Sequence, residues 1–166
     1  MNPKLPLVAI TATHIYEGDI TVVERFQEVL NDAITDFLHL EGVSVVRVGE
    51  PDVTLHESSS MTINKEAVVA AVLTTEEHEA PKSRVSHRAP KAPQRVFICA
   101  EGIEVEGFVH LNRVYDDPTE AMSLELKKFF AVTDARISFP AVDDEPVEAP
   151  VALVNRNLLT ALALEA

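Results

Sequence analysis

The densest set of chemically versatile side chains lies between residues 81 and 95. Lys82, Arg84, Arg88, Lys91 and Arg95 stand there among three prolines, with Ser83, Ser86 and His87 beside them and no acid. Five of the chain's 14 basic residues occupy these 15 positions, which makes them the candidate interaction residues. Cations at this spacing suit pairing with carboxylates or phosphates. The run suits docking on the acidic faces of this protein or of a partner, and for nucleic acid it lacks aromatics on which a base could stack; a solubilising tether is the simpler reading. Proline removes amide donors and like charges repel, so residues 78–94 read as an extended basic linker.

Elsewhere the chemistry thins out. The six histidines, at positions 14, 39, 56, 78, 87 and 110, are scattered without metal-ligand spacing. His56-Glu57 and Asp143-Asp144-Glu145 would meet a cation only if their loops converged, and solvated loops are the simpler reading. Ser58, Ser59 and Ser60 have no evident base. Five glycines form no phosphate-binding loop, and no CxxC, HExxH or EF-hand pattern is present. The single cysteine, Cys99, sits in the apolar run Val-Phe-Ile-Cys-Ala and reads as a small core residue. No catalytic, cofactor-binding or metal-binding residue is therefore expected, and no cofactor.

The bulk properties restrict partners further. The chain has 166 residues, 46% of them apolar, and a formal net charge of −13. An acidic surface repels nucleic acid and anionic lipid. No stretch approaches the ~20 apolar residues of a membrane span. The first ten residues lack the features of a signal peptide, so a cytoplasmic location is expected.

The elements that must position these residues begin with a strand at 5–13, a turn at Glu17-Gly18-Asp19 and a returning strand at 20–23. Apolar residues at 26, 29, 30, 33, 34, 37 and 38 then follow steps of three and four, which predicts an amphipathic helix over 24–40. Residues 43–48, rich in β-branched side chains, read as a strand. Residues 53–60 read as a polar loop with at most one short strand. Residues 61–73 read as strand, turn at Asn64-Lys65, strand; a short helix from Glu66 is the alternative.

After the basic run the pattern starts again. Residues 7–23 align without gaps on 96–112, placing Glu17-Gly18 on Glu106-Gly107. Residues 37–45 align on 129–137, and Ile63-Asn64-Lys65 on Val154-Asn155-Arg156. Asp117 as cap, Pro118 at the first helical position and Glu120 three beyond the cap predict a second helix over 118–130. The order of signals implies duplication. The expected fold is α+β and β-rich: two tandem pseudo-twofold repeats, 1–77 and 95–166, each a small bent sheet or barrel of four to five strands with one amphipathic helix. The apolar segments 61–73 and 151–164 are the candidates for edge strands shared between the repeats.

Several of these signals together resemble a family of uncharacterised bacterial domains. In that family the helix reads like R-L-S-D-F-L-N and a later segment like F-L-P-L-T-D-A. The second repeat supplies Phe129-Phe130-Ala131-Val132-Thr133-Asp134-Ala135 and Val154-Asn155-Arg156; the first supplies Leu30-Asn31-Asp32 and Asn64-Lys65. The first repeat lacks Thr-Asp-Ala and the second lacks Leu-Asn. The resemblance implies a fold unit and carries no activity. The glycine turn and late Asn-basic turn also look topologically similar to Sm-type small barrels.

The function expected from these readings is a non-enzymatic scaffold or accessory subunit that binds another protein or a larger assembly, with self-association through edge strands as one route. A small-molecule or peptide sensor with a pocket between the repeats is the second reading. An enzyme is third, and an Sm-like RNA or DNA binder fourth.

Overall fold

The computed structural model describes residues 2–74 and 91–165. Among these residues ten strands form one antiparallel sheet, and two short helices lie against it. The first half contributes β1 (Lys4–Ile10), β2 (His14–Thr21), α1 (Phe26–Asn31), β3 (Phe37–Arg47), β4 (Glu50–Asn64) and β5 (Ala70–Leu73). The second contributes β6 (Ala92–Ala100), β7 (Ile103–Leu111), α2 (Pro118–Leu124), β8 (Phe129–Ser138), β9 (Val147–Asn155) and β10 (Leu159–Glu165). One 3₁₀ turn follows β4 (Lys65–Ala67) and another follows β9 (Arg156–Leu158). Across the sheet the order is β10-β6-β7-β8-β9-β5-β1-β2-β3-β4. Each half places its fifth strand beside its first and its fourth strand at the far side.

The two halves share local devices as well as order. The register slips between Glu17 and Asp19 in β2, and between Glu106 and Phe108 in β7. Each slip brackets a glycine pressed against the next strand. A Cβ on Gly18 would lie 3.0 Å from the Glu41 carbonyl oxygen, and one on Gly107 2.6 Å from that of Thr133. Opposite these sites the chain turns left-handed, at Gly42 (φ 59°) in β3 and at Asp134 (φ 48°) in β8. A bulge beside a left-handed residue bends both strands sharply, which lets a five-strand unit curl around its own core.

These bulges correct the reading of Gly18 and Gly107. Both glycines lie inside strands, and the hairpins turn instead at residues 11–13 and at Glu101-Gly102. Glycine answers there to a close backbone approach and not to a chain reversal.

The expected helix over 24–40 is also corrected. α1 has six residues, and 37–47 is strand. Asp32 stops the helix in extended backbone, its Oδ1 accepting from the Ile34 amide in a turn of its own. The stripe thus splits. Phe26 and Leu30 are buried by the helix, Leu38 and Leu40 by the strand, and Ile34 and Phe37 face water. The second helix stops at Leu124, and the two phenylalanines at 129 and 130 open β8. Its start is as expected, with the Asp117 carboxylate accepting from the Thr119 amide. The polar segment 53–60 is strand, part of the long β4. β6 begins at Ala92, so residues 92–94, read as linker, are sheet.

The halves meet where β5 pairs with β9, Ala70–Leu73 running against Val151–Val154. Both segments fall within the stretches expected to be shared. The pairing is head-to-tail, because β5 is the fifth strand of its half and β9 the fourth of its own. A pseudo-twofold arrangement would pair like with like, so that expectation is corrected. The seam is sealed by exchange of side chains. Phe129 and Leu153 pack among Leu7, Ala9, Ala71 and Leu73 of the first half, while Ile10, Ala70 and Val72 join the core of the second.

Candidate interaction site

Two places stand out for function: the sheet's outer edges, unpaired among the described residues, and a trough beside the seam.

The Asn-basic turns are structural. Asn64 Oδ1 accepts from the Glu66 amide and Asn155 Oδ1 from the Asn157 amide, capping the 3₁₀ turns in the same way. The basic residue that follows reaches back to a helix end. Lys65 Nζ donates to the carbonyls of Val29 (2.7 Å) and Asp32 (3.2 Å) and to Thr35 Oγ1 (2.9 Å). Arg156 Nη1 donates to the carbonyls of Met122 (3.1 Å) and Leu126 (2.7 Å). Helix C-terminal carbonyls lack partners of their own, and a cation there satisfies them. Lys65 is only 3% exposed, and burial pushes its amine below the ordinary 10.5.

At the seam, Asn155 donates from its amide to the Val69 carbonyl (2.9 Å) and from Nδ2 to the Val68 carbonyl (3.0 Å). Asn31, at the end of α1, grips Phe129 at the start of β8: Nδ2 donates to its carbonyl and Oδ1 accepts from its amide. Gln27 Nε2 donates to the same carbonyl. The helix of one half thus clasps the opening residue of a strand in the other.

The outer edges of the sheet are β4 and β10. β10 reads Leu-Thr-Ala-Leu-Ala-Leu-Glu, with no proline and one charge, at its last residue. Natural edge strands are usually guarded by charge, proline or bulges; β10 has a register irregularity between Leu159 and Ala161 and a charge at its last residue, and 161–164 between them are uncharged and free of proline. Leu159, Leu162 and Leu164 pack partly against the second half's core.

The trough has a volume of about 820 Å³ and runs over the seam's first-half side. Val8, Ile10, Ile15 and Val46 make an apolar floor, while Glu17, Asp52, Asp143, Asp144 and Glu145 make an acidic rim. The loop from the second half is held in place by Asp144 Oδ2, which accepts from the Gly49 amide at 2.9 Å. Among the described residues no three His, Cys, Asp or Glu side chains come together in a way that could hold a metal ion. His56 and Glu57 lie on β4 and are absent from the trough lining that holds Asp143, Asp144 and Glu145.

Lys82, Arg84 and Arg88 lie outside the described residues. Lys91 is exposed just before β6, at a groove it shares with His110, Lys127 and Thr133. Arg95 lies on β6, 3.7 Å from Glu165 of β10. His14 and His110 each hydrogen-bond a threonine hydroxyl at 2.7 Å, Thr13 and Thr133 respectively. Cys99 is half-buried on β6 beside β10.

Sequence reasoning missed Asn31 and Phe37. The alternation of Leu38, Leu40, Val43 and Val45 was the available signal for a strand, and reading it would have placed Phe37 at a strand's opening. No helix among the described residues is long and apolar enough to cross a membrane. No family model, curated protein or solved structure matches the chain.

Proposed function

We propose that the chain is a duplicated β-rich module that works as a non-enzymatic interaction scaffold, recruiting a protein by adding its strand to an open sheet edge. Duplication is supported by the shared strand order, the paired bulges at Gly18 and Gly107, and the matched Asn-basic turns. The observation that carries the scaffold reading is the outer position of β10, whose residues 161–164 past its register irregularity bear no charge or proline. Backbone donors and acceptors on such an edge supply affinity, and alternate side chains supply selectivity. The basic run at 82–95 adds a second contact for acidic partners.

The test is affinity capture with the full chain from the native host, compared with an Ala161→Lys/Ala163→Lys variant. A defined protein retained by the first and lost by the second is expected. Repeated capture of nothing specific by the unmodified chain overturns the scaffold reading.

The trough favours a second reading, a sensor of a small molecule or peptide. An apolar floor with an acidic rim suits a ligand with an apolar body and a cationic group. A thermal-shift screen with amphipathic amines checks it, and stabilisation abolished by Asp52→Asn is the expected sign.

A further inference from the structure

The seam inside the chain joins a fourth-place strand to a fifth-place strand. One strand of each kind is left over at the sheet's ends: β4, fourth in the first half, and β10, fifth in the second. We infer that a second copy of this chain docks there, β10 of one copy pairing with β4 of the next, so that the internal seam is repeated head-to-tail. The inference rests on the module reading above and names its partner. A heterologous contact of this kind propagates into a closed ring or a filament.

The strand registers identify which residues correspond. Phe37 opens β3 opposite Asn64, as Phe129 opens β8 opposite Asn155. Asn155 is fully buried and Phe129 is 0% exposed, because the seam covers them; Phe37 is 55% exposed and Asn64 is exposed. A large aromatic is thus left in water at the position where its counterpart is sealed. Phe129 packs beside Ala71 and Leu73. Their counterparts, counted from the Asn-basic turns, are Leu162 and Leu164, which are only partly buried. A neighbour's Phe37 would complete that surface.

The internal pairs Ala70–Val154 and Val72–Ala152 translate into Ala161 against the neighbour's Ile63 and Ala163 against its Met61. Residues 60–64 of β4 carry no charge, so no like-charge clash occurs in this window although the chain bears −13. Thr62 stands where the internal seam has Leu153, which makes the outer contact more polar and its association weaker than the covalently tied one. Net repulsion between copies is screened by salt, so association should tighten as salt is added.

Sedimentation velocity on the full chain is the test, over a range of protein and salt concentrations. A mass that rises from 18.2 kDa to multiples of it, more readily at higher salt, is expected. Phe37→Asp should weaken association by about tenfold or more while leaving thermal unfolding of the monomer unchanged. In a Cys99→Ala background, Met61→Cys with Ala163→Cys should cross-link chain to chain, and Leu55→Cys with Ala163→Cys should not. A chain that stays at 18.2 kDa throughout and forms no cross-link overturns the inference, as does an oligomer insensitive to Phe37→Asp that fails to cross-link. In either case, a host protein captured through β10 would leave the scaffold reading standing, and its absence would remove both.

Discussion

Asn31 holds both backbone groups of Phe129, at 2.9 Å to the carbonyl and 2.8 Å to the amide, across 98 positions of chain. A single amide side chain thus stands in for a strand neighbour at the point where β8 begins. Asn31→Ala should cost about 1–3 kcal/mol, the usual penalty for leaving a buried donor unpaired. Gln27→Ala should cost less, because it removes only a second donor from a carbonyl that Asn31 already serves. Urea unfolding of both variants checks the order.

Lys65 gives a prediction with a pH sign. Lys65→Met leaves the Val29 and Asp32 carbonyls without their cation and should destabilise the fold by about 1–3 kcal/mol. Burial holds the folded-state amine below 10.5, so between the folded and unfolded values the unfolded chain binds more protons. Stability from this group therefore rises with pH through that window. The advantage of the unmodified chain over Lys65→Met should widen as pH climbs toward 10.5. A gap that narrows instead would contradict a depressed amine.

The two bulges can be separated by what an added methyl group meets. On Gly107 it would lie 2.6 Å from both the Thr133 carbonyl oxygen and Val132 Cγ1; on Gly18 the nearest atom is at 3.0 Å. Both alanine variants should destabilise, Gly107→Ala the more, at about 1–3 kcal/mol. Thermal melts rank them.

Gly42 isolates a conformational cost from a steric one. No atom lies within 4 Å of a Cβ built there, yet its φ is 59°. Gly42→Ala should cost about 1–2 kcal/mol through backbone strain alone. Asp134 already bears a side chain at the corresponding bend, so Asp134→Gly should be close to neutral or mildly stabilising. Chemical denaturation of both variants measures the difference.

How far the sequence could be read depends on what each residue answers to. Strands with one buried face, such as β6 and β7, announce themselves by alternation, and the seam strands by unbroken apolar runs. The repeat of Asn64-Lys65 at Asn155-Arg156 marked matching turns. What was hidden is where local signals serve a distant partner. Gly18 and Gly107 look like turn residues because their packing partners lie on another strand. Phe37 fits a helical stripe because period 3.6 and period 2 coincide over a few positions, and only the Asp32 turn decides between them. Asn31 gives no local sign of its role, since Phe129 is far along the chain. The head-to-tail seam follows from strand order, which no single stretch records.

The seam also sets a timetable. β5 is apolar throughout and wholly buried once paired, yet its partner β9 is made some 80 residues later. At a synthesis rate of ~5–20 residues per second, that edge waits about 4–16 s. During that interval the nascent first half presents an unpaired apolar strand to every other chain nearby. Slow codons between β5 and β9, or a crowded polysome, should therefore raise aggregation of newly made protein without any change in the stability of the finished one.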